Sequence, residues 1–154
     1  MRYIVETPWG RFTRRTSSRE YQFVVISCGQ TEAHIRARHD AQRRDDEKQR
    51  AIYEAGIRDN KIPDGQQSWD RLENYPAYLA GVVQRLEQGP GRLARDLEIN
   101  AAQIAAKKGR QVGWCGRRDL ADKEAARALS RGWVNVHIYS CVDRAPYTLA
   151  QEVA

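Results

Sequence analysis

The stretch that decides the fold is Val112–Val142, VGWCGRRDLADKEAARALSRGWVNVHIYSCV. It reads as strand, helix, strand. VGWC at 112–115 is short and apolar, and Gly116 closes it. The segment 118–131 has helical spacing: Leu120, Ala121, Ala125, Ala128 and Leu129 fall on neighbouring faces, a period that marks one buried side. Gly132 stands where a left-handed residue would end that helix. At 133–142, WVNVHIYSCV alternates. Val134, Val136, Ile138 and Val142 point one way, and Trp133, Asn135, His137, Tyr139 and Cys141 the other. The two strands are expected to lie parallel with a right-handed crossover. The helix is expected to pack on one sheet face through Leu120 and Leu129.

Three strands precede this unit. RYIVE at 2–6 and RFTRRT at 11–16 flank a turn at Thr7-Pro8-Trp9-Gly10, where Pro8 presets one backbone angle and Gly10 frees another. The second strand carries charge on both faces, as edge strands do to prevent stray pairing. YQFVVISC at 21–28 is continuously apolar, which suits a central strand covered on both sides.

The chemistry changes after Gly29. From Thr31 to about Ala55 the chain is helix-favouring and very polar, with Thr31 as cap and Glu32 in the first turn. Its only apolar stripe is Ala33, Ala37 and Ala41, then Ile52. Such a helix is either solvent-bridging, laced by pairs such as Asp40 with Arg44, or it contacts another molecule. A loop at 56–67 follows, then WDRLEN capped by Ser68. Pro76 is expected to kink the helix or restart it, with Asn74 as the candidate new cap. Leu72, Tyr75, Leu79, Val82, Val83 and Leu86 form a core stripe. Gly89-Pro90-Gly91 is expected to break it. The next helix, 92–108, presents Leu93, Leu97, Ala101, Ile104 and Ala105, and Gly109 ends it. The tail from 143 is expected to be loosely ordered.

The fold class that follows is α+β. A small mixed, mostly antiparallel sheet of three N-terminal strands plus a C-terminal strand-helix-strand carries a large helical insertion at 31–110. The length of 154 residues fits a single domain.

The net charge is +6, the pI is about 9.5, and arginine supplies most of the positive charge. This favours a phosphate- or carboxylate-bearing partner over a neutral one. No run of about 18 apolar residues offers a membrane span, and the first residues lack a secretory apolar core, so a cytoplasmic location is expected. Cys28, Cys115 and Cys141 fit no metal-ligand spacing and read as free thiols. His34 and His39 are five apart and point away from each other on a helix, so neither a metal nor a cofactor is expected. No phosphate-binding glycine loop and no hydrolase or metalloprotease motif is present.

Four groups of residues are candidates for a site. Arg11, Arg14, Arg15 and Arg19 cluster beside Trp9, Phe12 and Tyr21, a mixture that suits phosphates and bases. Arg36, Arg43 and Arg44 lie on the polar helix, where acids nearly balance the bases and a self-paired face competes with a partner surface. Arg117 and Arg118 open the 118–131 helix and could form an anion corner, which Asp119 weakens. Trp133, Asn135, His137 and Tyr139 share one strand face and could line a site, or fill a second core layer under the helical insertion. An enzyme would need His137, Tyr139 and Cys115 to converge.

The segments TPWGRFTRRTSSREYQFVVI and GRRDLADKEAARALSRG resemble those of small uncharacterised basic proteins of bacterial mobile elements, plasmids and phages. The resemblance implies a bacterial cytoplasm and work in DNA maintenance, DNA transfer or interference with host defence. It carries over no functional residue. The expected function is a non-catalytic module that engages nucleic acid or a nucleoprotein complex. The alternative is a protein inhibitor of a host defence system, of the anti-CRISPR or anti-restriction type, acting by protein contact. A small enzyme comes third.

Overall fold

The structure is a computed structural model, and it describes residues 1–66, 70–142 and 146–147. The chain divides into two compact units, Met1–His34 with Leu97–Ala154, and Ile35–Asp96.

The first unit begins with a hairpin of β1 (Arg2–Thr7) and β2 (Gly10–Arg15). Thr7 Oγ1 ties its turn, accepting from the Trp9 N–H at 3.1 Å and donating to the Gly10 carbonyl at 3.0 Å. β3 (Phe23–Ser27) is buried along its whole length. It pairs antiparallel with β4 (Arg110–Cys115) on one side and β5 (His137–Ser140) on the other. β6 (Pro146–Tyr147) adds to the free side of β5, so the order is β4-β3-β5-β6. Apart from this pair, the tail from 143 lies outside the described residues.

The α+β reading stands, and all strand pairs are antiparallel, but the strands form two sheets. β4 and β5 do run parallel, yet β3 lies between them. Val24, Val25 and Ile26 are 0% exposed, so the most apolar strand takes the one place covered on both faces.

Helix α3 (Arg118–Ser130) covers one sheet face. Its seam is Ala121, Ala125 and Ala128, packed with Phe23, Val25, Cys115, Val136 and Ile138. Leu120 and Leu129, expected to be the packing residues, are 41% and 49% exposed. Alanines let the helix lie close to the sheet, and the two leucines flank the contact. Its end is as expected: Gly132 has φ +79°, with Gly132 N–H on Leu129 O and Trp133 N–H on Ala128 O, the paired bonds of a left-handed helix stop.

The other sheet face carries Val24, Ile26 and Tyr139, and hairpin residues Val5 and Phe12 close it. The hairpin therefore supplies the second layer that the helical insertion was expected to supply. The expected ten-residue alternation fails at Asn135, whose φ is +50°. Trp133 consequently packs with the α3 layer, while Tyr139 packs under the hairpin and His137 stacks beneath Trp9.

In the second unit, α1 (Glu32–Asp59) and α2 (Tyr75–Ala105) contribute their Ile35–Asp59 and Tyr75–Asp96 portions. The portions run antiparallel, with Tyr53 against Tyr75, Asp46 against Arg85 and His39 against Asp96. Thr31 caps α1 by accepting the His34 N–H at 3.1 Å. α1 runs past the expected 55 to Asp59 and stops at Asn60, φ +48°. Ser68 and Trp69 lie outside the described residues; a short 3-10 turn at Leu72–Asn74 leads into α2. Pro76 falls in the first turn of α2, where it costs no hydrogen bond. Pro90 does not end the helix, contrary to expectation: α2 continues through Gly89-Pro90-Gly91 to Ala105. It stops at Lys107, φ +50°, and not at Gly109. The bonds from Lys107 N–H to Ile104 O and Lys108 N–H to Gln103 O have the same form as those after α3.

Candidate functional site

Hairpin geometry follows from Val5 opposite Phe12, both buried against the sheet. Alternation then turns Arg2, Ile4, Glu6, Arg11, Thr13 and Arg15 outward. Arg2 lies directly across from Arg15, two like charges side by side. Arg11 lies across from Glu6, its Nε 3.8 Å from the carboxylate. Arg14 falls on the inner face, with its guanidinium 5.9 Å from the Tyr21 ring centre. Tyr21 in turn meets Tyr3 edge-on at 5.6 Å and Trp114 at 6.0 Å. The Arg19 N–H bonds Thr16 Oγ1 at 3.0 Å, in the loop leaving β2. Arg2 and Arg15 thus share the outer face, Arg14 lies on the inner face and Arg19 follows in the loop, and none of the four has an ion pair among the described residues. Arg2 is the member that sequence reading missed; the signal was the hairpin register, which a turn at Thr7–Gly10 imposes.

The arginines of α1 are arranged differently. Arg43 pairs with Asp40 at 3.5 Å and with Glu47 at 3.9 Å, so Asp40 takes Arg43 and not the expected Arg44. Lys48 pairs with Asp45 and Arg50 with Glu54. Arg44 and Arg36 are exposed on the same helix. Most of this face neutralises itself, as one of the two expectations had it.

At the α3 start, Arg117 grips Asp119 with two bonds of 3.0 and 2.9 Å, and Arg118 bonds Asp122 at 3.0 Å. An anion there would compete with two carboxylates. Cys115, His137 and Tyr139 do not converge: Cys115 belongs to the α3 layer and Tyr139 to the hairpin layer. Burial raises the pKa of Cys28 and Cys115 and pushes Cys141 up to about 11, so none is a ready thiolate at neutral pH. Among the described residues, no cluster of three or more side chains could hold a metal ion. No helix there is long and apolar enough to cross a membrane.

The second unit contains a constellation that sequence reading also missed. Asp46 is 3% exposed and accepts from Arg85 Nε at 2.9 Å, while Arg85 Nη2 donates to Gln49 Oε1 at 3.1 Å. Asp96 Oδ2 meets His39 Nε2 at 2.9 Å and Arg38 Nη2 at 3.1 Å. The hydrogen bond from His39, with the charges of His39 and Arg38 behind it, holds the Asp96 carboxyl below its ordinary pKa. Asp96 Oδ2 accepts from Arg38 Nη2 and shares its second hydrogen bond with His39 Nε2. Arg38, His39, Asp46, Arg85 and Asp96 line a groove of about 470 Å³ between the two helices. The only trace in the sequence is the 3-4 spacing Ile35, His39, Gln42, Asp46, Gln49, Tyr53 and Gly56, a helix-pairing pattern written mostly in polar residues.

Compared with known proteins, the chain matches no family model, no curated protein and no solved structure.

Proposed function

We propose that the chain is a non-catalytic binding module that engages nucleic acid through Arg2, Arg14, Arg15 and Arg19. The carrying observation is contrast: these four are without ion pairs among the described residues, while Arg43, Arg50, Arg117 and Arg127 each face a carboxylate. Opposed like charges on a strand pair destabilise it, and an anion between Arg2 and Arg15 relieves that. Tyr3, Tyr21 and Trp114 are half-buried and occupied with one another and with Arg14. They leave little ring face for bases, so the contacts are to phosphate and the binding is sequence-independent. Arg36, Arg43 and Arg44 play a secondary part.

The test is a titration with single- and double-stranded DNA and RNA at two salt concentrations. The expected affinity at low salt is near or tighter than about 10⁻⁶ M and falls steeply as salt rises. Arg2→Gln with Arg15→Gln should lower the slope of log K against log salt by about 2, at roughly 0.9 per phosphate contact. An unchanged slope removes the hairpin from the interface.

A protein partner is the second reading, favoured by the self-neutralised charges along α1. Such a face suits complementary side chains better than a phosphate track. Absence of nucleic-acid binding at low salt would favour it.

A further inference from the structure

The groove in the second unit lies on the seam along which α1 and α2 pair. Seams of this kind are normally filled by large apolar side chains, one from each helix in turn. Here α1 presents His39, Gln42 and Asp46, and α2 presents Arg85, Gly89 and Arg92. The apolar part of the lining comes from Leu86, Pro90 and Leu93.

Gly89-Pro90-Gly91 is a costly sequence for a helix interior, since all three residues disfavour helix. Packing does not explain it: a Cβ at Gly89 or Gly91 would meet nothing within 4 Å. What the triplet does is open the helix wall. Gly89 leaves the seam unfilled. Pro90 has no N–H, so the Leu86 carbonyl loses its usual helical donor. Both Leu86 and Pro90 line the groove.

Charge in the groove is mostly matched. Asp46 holds Arg85, Asp96 holds Arg38 and His39, and Asp40 holds Arg43. The exception is Arg92, which bonds only the Gln88 side-chain oxygen, at 2.6 Å, among the described residues. A guanidinium has five N–H donors in a fork suited to carboxylate and phosphate, so Arg92 keeps most of them for another acceptor. A volume of about 470 Å³ is in the ordinary range for small-molecule sites.

We infer that this groove binds a small organic anion, a phosphate or carboxylate group carried on a flat apolar body. The anionic group meets Arg92 at the mouth. The flat body lies on Leu86, Pro90 and Leu93 in the space that Gly89 leaves open. The groove and the hairpin can each fail as a binding site without the other.

The experiment is calorimetric titration of the whole chain with adenosine monophosphate and, separately, with 2-naphthoate. Inorganic phosphate is the third probe. At least one of the two organic anions should bind saturably with Kd below about 1 mM. Binding of the nucleotide alone identifies a phosphate ligand, and binding of the naphthoate alone a carboxylate. Gly89→Leu should abolish binding while the melting temperature stays at or above that of the parent, because Leu favours helix over Gly. Arg92→Gln, at an exposed position, should weaken binding at least tenfold and decides the matter if the first variant does not fold. The inference is overturned if neither organic anion saturates by about 10 mM, or if binding is unchanged in the variants that fold. Inorganic phosphate binding as tightly as the nucleotide would overturn the flat-body assignment.

Discussion

Lys107 takes a left-handed backbone, φ +50°, where α2 stops. That conformation costs a residue with a Cβ about 1–2 kcal/mol. Lys107→Gly should therefore stabilise the chain by about 1 kcal/mol, read as a higher urea midpoint at unchanged slope. A null or negative change would mean that the Lys107 side chain contributes more than its backbone costs. His137 is a second residue with a measurable signature. Its ring stacks on Trp9 with centres 4.9 Å apart, and its buried Nε2 has no hydrogen-bond partner among the described residues. Burial lowers its pKa below the ordinary 6.5. Above about 6.5 the ring is neutral in both folded and unfolded chains. As pH falls through 6.5 the unfolded chain takes up a proton that the folded one resists, so stability drops and levels off below the folded-state pKa. His137→Phe keeps the stack and should lose less stability than the parent between pH 7.5 and pH 5.5. Equal losses would show that His137 is not the group responsible.

Helix α3 and the α1–α2 pair show what decides an element's packing. The expected contacts of α3 were Leu120 and Leu129 because they are its largest apolar residues. The structure uses Ala121, Ala125 and Ala128, because close approach to the sheet leaves no room for more. Ala125→Leu should then cost about 1–3 kcal/mol by overpacking, while Leu129→Gln should stay within about 0.5 kcal/mol. Chemical denaturation of the two variants separates these seams; the reverse ranking would restore the leucine seam. In the helical pair, Asp46 side chain is 5% exposed and Arg85 39%. Removing the cation strands a buried carboxylate. Arg85→Met should cost about 2–3 kcal/mol, less than for a fully buried pair because Arg85 is partly solvated. Asp46→Leu together with Arg85→Met should recover most of that loss. If the double variant is no more stable than the single, the pair contributes more than its own desolvation.

At the scale of the molecule, +6 net charge is unevenly neutralised. Acids answer Arg43, Lys48 and Arg50 along α1, while the hairpin leaves Arg2, Arg14, Arg15 and Arg19 unanswered among the described residues. Neutralising Arg43 and Arg44 together should leave the salt slope of nucleic-acid binding nearly unchanged, whereas neutralising Arg2 and Arg15 lowers it by about 2. Titration of both variants distinguishes a hairpin interface from one spread over α1. Much of this organisation was legible in the chain itself. The apolar run at 23–27 required a doubly covered strand, and Thr31, Pro76 and Gly132 marked helix ends through local backbone chemistry. Arg14, Arg15 and Arg19 could be seen because they are neighbours in sequence, whereas Arg11 faces Glu6 beside the turn and Arg2 joins Arg15 only through the hairpin register. Tertiary structure alone decided the rest. Which sheet face the hairpin covers, and the insertion of β3 between β4 and β5, depend on contacts between residues far apart in the chain, such as Phe23 with Ser140 and Val5 with Tyr139. Asn135 turned Trp133 away from His137 through one backbone angle that alternation does not encode. The groove escaped notice because its seam is built from His39, Gln42, Asp46, Arg85 and Asp96. Polar residues read as solvated until their partners on the opposite helix are known, since only a matched charge can be buried at tolerable cost.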